Sequence, residues 1–332
     1  MNLPPTVDVV IVSYETRSLL RECLRSLQEH APLGLRQTVV VDNSSKDGSA
    51  TMVESAFPAA LLIANSVNVG FGAAANIGAR ACSAKWLAIG NADVAVTSGA
   101  LDALIAAGEA SPSAAVLAPS LLLPSGDIQL STWRFPSVLH SASAALGIHH
   151  LLPSLSPSIP PGEDMRRAAS AQVDWAMGAF LLFRRDAFDQ IGGFDETHWM
   201  YGEDLDICWR LRQAGWQTRY VGDAQVHHVG GAAAEASLGE TVTAMKLAAH
   251  YASLVRRQGV AAARLDELFR LAGIYLRLGV LLATWRFRRN GAPWSARLKM
   301  LRQWRDATLL ARRRDRDWRG EGSTDPPTIR DA

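Results

Sequence analysis

An α/β fold built on a mainly parallel sheet is predicted by three features of this 332-residue sequence. Four apolar runs, VDVVIVS (7–13), TVVVD (38–42), AALLIAN (59–65) and KWLAIGNAD (85–93), are separated by helix-length segments. Each run is nearly continuous in apolar residues, as expected of strands covered on both faces by crossover helices. A hydrophobic content of 48% over this length supplies one large core and an appendage.

The first crossover, TRSLLRECLRSLQEH (16–30), carries Leu19, Leu20, Cys23, Leu24 and Leu27 on one helical face, with Thr16 as its expected cap. After residue 93 a helix is expected near 98–109 and a strand at 115–123. The stretch 151–170 holds four prolines and little periodicity, so it reads as a long mobile loop. Next come a buried-strand candidate, VDWAMGAFLLF (173–183), the short helix RDAFDQIGG, the helix start MYGEDLDICWRLRQAGW (200–216) and a strand at 217–226. From about residue 240 the pattern is helical. The expected division is 1–240 for the α/β domain, 241–318 for a basic amphipathic helical region and 319–332 for a disordered tail.

A net charge of +2 conceals an asymmetry: residues 251–318 hold 16 Lys/Arg against 5 Asp/Glu, residues 1–250 hold 16 against 24. LFRLAGIYLRLGVLLATWRFRR (268–289) is nearly long enough to span a bilayer, but Arg270 and Arg277 interrupt it. An interfacial helix on anionic lipid, its arginines reaching headgroups and Trp285 and Trp294 at the boundary, suits these residues. A helix packed on the α/β domain or on a partner subunit is the alternative. Three cysteines without CxxC spacing suggest neither disulfides nor structural zinc and fit a reducing cytoplasm. The N-terminal run is too β-branched and too short for a signal peptide.

Ligands of open parallel sheets bind beyond the carboxyl ends of the strands. Those ends carry Ser13 and Tyr14, Asp42 of VVVDNSS, NVGFGAAANIG (68–78), and Asn91 and Asp93 of GNAD. Singly, each reads as turn chemistry; at successive strand ends they suit one elongated ligand. NVGFGAAANIG lacks a full dinucleotide fingerprint, and its small residues instead permit close backbone approach to a ligand, with Asn68 and Asn76 as polar anchors. Glu203 and Asp204 open the 200–216 segment, where the simplest explanation is complementarity to the helix dipole.

VVIVSYE, VVVDNSS, NVGFGAAANIG, GNADV, DWAMGAFLLFRRDAF, GGFDE, MYGEDLDICWRL and HHVGG together resemble, in this order and over about residues 7–231, the bacterial family 2 inverting glycosyltransferases, especially their rhamnosyltransferase-like branch. The resemblance implies a GT-A fold, a mainly parallel but mixed sheet with a C-terminal helical extension, a nucleotide-sugar donor and Mg²⁺ or Mn²⁺. It assigns Asp42 to the base, Ser13 and Tyr14 to the lining of the nucleotide site, Asn68 to holding the nucleotide, and Asn91-Ala92-Asp93 to the metal-diphosphate motif. His228, rather than its neighbour His227, becomes the later metal or diphosphate ligand, Asp204 the general base and Glu203 an orienting acid, while Trp175 and Gly178 line the acceptor side near the 151–170 loop.

Read from the residues, Asp93 is also a plausible turn aspartate, His228 a core histidine and Trp175 a buried strand aromatic. The chemistry favours the functional roles: a diphosphate leaves only when its charge is neutralised, and inverting transfer needs one base for the acceptor hydroxyl. Asp206 lies about 200° around the helix from Asp204 and is not expected to share its role. Ala92 where relatives have Pro, and Ala where HHVGG is often followed by Ser, depart from the branch. The expected function is transfer of L-rhamnose from dTDP-L-rhamnose to a lipid-linked or polysaccharide acceptor in cell-envelope glycan synthesis, at the inner face of the plasma membrane. No nucleic-acid partner is expected and homo-oligomerisation is left open. The alternatives are a UDP- or GDP-sugar donor, a catalytically silent sugar-nucleotide-binding protein, or a nucleotidyltransferase, which should have a basic Gly-rich loop where this chain has SYETRSLL.

Overall fold

The structure, a computed structural model, describes residues 6–32, 34–159, 170–230, 240–283 and 292–313. The chain forms two compact units, one from residues 1–134 and 158–233 and the other from 135–157 and 234–332. The second unit is thus discontinuous in sequence. Trp285, the tail from 319, most of 160–170 and the residues after His-x-Gly-Gly lie outside the described residues.

In the first unit, β1 (Val7–Ser13), β2 (Leu35–Asp42), β3 (Leu61–Ala64) and β4 (Trp86–Asn91) pair in parallel in the order β3-β2-β1-β4. Between them run α1 (Arg17–Glu29), α2 (Ser49–Ala56) and α3 (Phe71–Arg80). All seven residues of β1 are buried, and each of its valines contributes about 1.5–3 kcal/mol by leaving water. Helix α1 buries Leu20, Cys23, Leu24 and Leu27 as its periodicity requires. Its cap differs from expectation. Thr16 spends its hydroxyl on Ser13 Oγ, 3.0 Å away, and the orphan N–H of Arg17 goes to Asp47 Oδ2 at 2.7 Å.

Beyond β4 the sheet becomes mixed, and the cause lies in the 173–183 run. It is not one strand but three: β8 (Ala171–Val173), β9 (Trp175–Ala176) and β10 (Phe180–Arg184), counted after β5 (Val94–Val96), β6 (Ala114–Leu122) and β7 (Thr132–Trp133). Strand β10 inserts antiparallel between β4 and β6, and β11 (Gln217–His228) runs parallel to β6 and antiparallel to β5 and β8. β7 and β9 form a separate two-stranded ribbon. The strand expected at 217–226 runs to His228, so that histidine belongs to a ladder rather than to a loop. Helices α4 (Ala100–Ala110), α6 (Arg185–Gln190) and α7 (Glu203–Gln213) complete this unit. The three cysteines are buried and free.

The second unit contains α5 (Val138–Leu146), a helix absent from the sequence-based expectations, with α8 (Glu240–Gln258), α9 (Val260–Ala283) and α10 (Ala292–Arg313). None of the described helices is long and apolar enough to cross a membrane. The arginines expected to reach headgroups are used inside the unit. Arg270 pairs with Asp266 at 3.4 Å beside His250, and Arg277 donates to Ala144 O at 2.7 Å. Asp266 is fully buried and also 3.2 Å from His250 Nε2; burial holds that imidazole below its ordinary pKa.

A buried charge stripped of its partner is destabilising, so Asp266→Ala should lower the stability of this unit by roughly 3 kcal/mol in thermal or urea melts. A melt matching wild type would show that the cluster holds nothing together.

Candidate active site

Sheet register assembles the first group of candidates. Ser13 is the partner of Asp42 across β1 and β2, and Val12 is the partner of Asn91 across β1 and β4, so three polar strand ends stand side by side about 4.8 Å apart. Ser13 and Asp42 are buried and Tyr14 is exposed. Asp42 Oδ2 accepts from Ser45 N at 3.0 Å, while its buried Oδ1 has no hydrogen-bond partner among the described residues. The loops after β1 and β2 are tied together by Glu15 N to Ser45 Oγ (3.0 Å) and Lys46 N to Glu15 Oε1 (2.8 Å).

Asn43, missed by sequence reasoning, is the hub behind this edge. Its Nδ2 donates to Asn68 Oδ1 at 2.7 Å and to Gly70 O at 3.2 Å, and its Oδ1 accepts from Asn65 Nδ2 and Val69 N, both at 3.1 Å. Asn68 Oδ1, which also accepts from Gly70 N, is therefore committed to the loop. Asn76 does not anchor a ligand: it exchanges hydrogen bonds with the backbone of Phe194 at 2.9 Å and donates to Glu196 Oε1. The small residues of 70–78 have a different use as well. At Gly70 (φ +85) a Cβ would lie 2.2 Å from Trp199 O, so the close approach is to the loop preceding the acidic pair.

Asp93 sits in the turn between β4 and β5, and antiparallel pairing sets His228 opposite Val94. His228 Nε2 consequently lies 3.5 Å from Asp93 Oδ2, and both side chains are nearly buried. Its Nδ1 is 2.7 Å from Gln129 Oε1, an acceptor, so Nδ1 donates to Gln129 and Nε2 is the nitrogen that faces Asp93. A carboxylate and an imidazole nitrogen converging this way are a donor set that fits a divalent cation. His227 is exposed. Gln129 had no sequence signal, since nothing marks a lone Gln about a hundred residues from the histidine it orients.

A second group, Asp195, His198 and Asp206, has ligand-type atoms within 4.8 Å of one another. Asp206 is buried and ion-paired with Arg210 at 2.6 Å, which fits the separation of its role from that of Asp204 and weighs against a cation there.

The acidic pair starts α7. Gly202 (φ +94) is its N-cap residue and Tyr201 (φ +66) is held left-handed at roughly 1 kcal/mol. Asp204 Oδ2 accepts from Gly178 N at 3.1 Å and Oδ1 from Leu205 N at 2.8 Å. A Cβ on Gly178 would stand 3.2 Å from Asp204 Cβ, so glycine lets the backbone reach the carboxylate. Glu203 Oε2 is buried with no hydrogen-bond partner among the described residues; desolvation, then the Asp204 charge, push its pKa up to about 8. Asp204 is thus the acid equipped to be ionised, and Glu203 the one kept neutral. Residues 178 and 179 link the two groups: Gly178 N holds Asp204, and Ala179 O accepts from Asn91 N at 2.9 Å, two residues before Asp93. Trp175 stacks on Trp133 and donates from Nε1 to Arg134 O at 3.0 Å.

Known proteins bear on this arrangement. The pattern of glycosyl transferase family 2 matches residues 8–192, and that of glycosyl transferase family group 2 matches 163–310. N-acetylglucosaminyl-diphospho-decaprenol L-rhamnosyltransferase of Mycobacterium tuberculosis is 33% identical over 239 residues, covering 67% of this chain and 75% of its own. Among solved structures, the mannosyltransferase PcManGT of Pyrobaculum calidifontis, in complex with GDP-Man and Mn²⁺, superposes with TM-score 0.56 at 17% identity, covering 93% of this chain and 86% of that one. GalNAc-T7 with UDP, GalNAc and Mn²⁺ also gives 0.56 at 17% identity over 75% of this chain, which spans about half of that protein's length (47%). The mixed, mostly parallel sheet is that of the GT-A fold, and because the family pattern runs through more than half of its length, this chain belongs to glycosyl transferase family 2.

Proposed function

We propose that this glycosyltransferase moves L-rhamnose from dTDP-L-rhamnose, with inversion, onto a lipid-linked or polysaccharide acceptor during cell-envelope glycan synthesis. The observation that supports this reading is the connection through residues 178–179, whose backbone bonds Asp204 on one side and Asn91, two residues before Asp93, on the other. The named activity of the mycobacterial relative supports the sugar and the lipid-linked acceptor.

Asp42, Ser13 and Tyr14 would receive the nucleotide, and Asn91 would border its diphosphate. Asp93 and His228 would hold Mg²⁺ or Mn²⁺, which supplies neutralisation of the diphosphate charge as it departs. Asp204 removes the acceptor hydroxyl proton as that oxygen attacks the anomeric carbon from the side opposite the diphosphate. The bond to the acceptor oxygen forms as the bond to the diphosphate oxygen breaks, so no covalent enzyme intermediate is needed. Glu203, its pKa pushed up to about 8, can donate to an acceptor oxygen and leaves the negative charge of the pair to Asp204. The GDP-Man complex of the mannosyltransferase keeps other nucleotides open, and a screen of activated sugars for diphosphate release with and without acceptor decides among them.

A membrane-facing role for the second unit rests on α9, whose exposed residues include Leu265, Leu268, Tyr275, Leu276, Val280 and Leu282, while its two acids, Asp266 and Glu267, are buried. An apolar helix face on a basic unit suits anionic lipid better than a second copy of the same charge.

Asp93→Ala should weaken Mn²⁺-dependent binding of dTDP or UDP and slow transfer together. Equal nucleotide affinity in calorimetry would remove Asp93 from the metal site. Asp204→Asn should keep donor affinity while turnover falls about 10²–10⁴-fold; near-normal product formation at saturating substrates would return the pair to helix-dipole duty. Leu268→Glu with Leu276→Glu should abolish co-sedimentation with anionic vesicles without loss of fold, and retention on those vesicles would refute the lipid role of α9.

A further inference from the structure

Charged residues make up 20% of the sequence, yet none occurs between Arg134 and Glu163, and much of this stretch is on the surface of the second unit. Leu139 and Leu146 on α5, then Ile148, Leu151 and Leu152 beyond it, stand exposed, Leu151 at 84%. Solvated turns are ordinarily polar. Here Gly147 (φ +75) ends α5, and two single-turn 3₁₀ helices, Ile148–His150 and Pro153–Leu155, fold an aliphatic tip back on itself. The tip also satisfies its own amides. Leu151 N and Leu152 N both donate to Ile148 O at 2.9 Å, Leu155 N donates to Leu152 O at 2.9 Å and Ser156 N to Pro153 O at 3.0 Å, while Pro153 has no N–H to place.

We propose that residues 146–155 form a wedge that enters the acyl-chain layer of a bilayer, with Leu151 and Leu152 at its tip. This deepens the membrane-facing reading of the second unit and rests on it. Hydrocarbon excludes charge and penalises unpaired backbone N–H groups; the tip carries no charged side chain and pairs the amides of both leucines. A protein partner is the poorer fit, because interface anchors are enriched in Trp, Tyr and Arg with Leu under-represented, and the exposed apolar residues here are Leu and Ile alone. A second copy would bring two basic units together. The root of the wedge is braced on α9. A Cβ on Gly273 would lie 2.8 Å from Ala145 Cα, so α5 and α9 meet nearly backbone to backbone, and Arg277 donates to Ala144 O at 2.7 Å near the end of α5. A wedge folded beforehand loses little freedom on insertion, and each leucine gains apolar burial.

The test uses the full chain with Leu151→Cys carrying a nitrobenzoxadiazole fluorophore; the three native cysteines are buried, so the label goes to the new thiol. On vesicles of phosphatidylcholine and phosphatidylglycerol its emission should shift to the blue and be quenched by lipids spin-labelled on the acyl chain, but not by iodide in the water. Leu151→Asp with Leu152→Asp should weaken vesicle binding roughly a hundredfold, about tenfold per leucine, and leave the far-ultraviolet spectrum and melting temperature as in wild type, since both side chains are exposed. Labelled protein that sediments with vesicles while its fluorophore stays open to iodide overturns the wedge and leaves surface binding through α9 standing. Wild-type vesicle affinity in the Asp variant overturns it as well, and so does a lipid-free, concentration-dependent dimer that the Asp variant dissolves. A wild-type protein that binds no vesicles refutes the membrane-facing reading itself, and the wedge with it.

Discussion

Two carboxyl groups on consecutive residues at a helix start, both half-buried, disfavour carrying two charges at once, and the surrounding loops are arranged around that constraint. Asp204 receives two backbone N–H groups, whereas Glu203 Oε2 receives none and desolvation outweighs the one backbone hydrogen bond to its carboxyl, so Glu203 is the acid that favours the proton. One of those donors comes from 26 residues upstream, and the lack of a side chain at residue 178 leaves room for that close approach to Asp204. The loop that delivers the acids is clamped by Asn76 to Phe194 and meets Gly70 at Trp199, so helix α3 serves the acid pair as well as the sheet.

The antiparallel insertion of β10 makes this possible. A strand running with its neighbours would carry residues 178–179 to the other end of the sheet. Running against β4, β10 begins where β4 ends, and Ala179 meets Asn91 beside the turn that carries Asp93. The same economy appears at His228: pairing of β11 with β5 aims the imidazole at Asp93, and Gln129 chooses which nitrogen faces it.

Much of this was legible in the sequence where local chemistry and position coincide. The four parallel strands, the polar residues at their ends and the amphipathic α1 follow from periodicity, and the ordered motifs identify the family. What periodicity could not give was direction and partition. VDWAMGAFLLF reads as one apolar strand, but the chain breaks at Asp174 and again across residues 177–179, so that β9 leaves for the ribbon and β10 for the sheet. Asn68, Asn76 and Arg270 illustrate a second limit: a polar residue in a ligand-like setting is as readily consumed by a loop, a helix or a buried acid, and only the folded chain reveals the partner. Asn43, Gln129 and Trp133 had no signal because their partners are distant in sequence.

The claim that Asp204 is charged because Glu203 is not can be measured without substrate. With ¹³C-labelled glutamate side chains, NMR titration should reveal one carboxyl carbon with a midpoint near 8, absent from Glu203→Gln. The sign for stability follows: between the ordinary glutamate pKa of about 4.3 and that midpoint, the unfolded chain releases a proton that the folded chain keeps, so wild type should lose stability as pH rises through this window and Glu203→Gln should lose less. If every glutamate carbon ionises below about pH 6 and the two proteins show the same pH dependence, Glu203 is an ordinary carboxylate and the division of charge that organises this site is wrong.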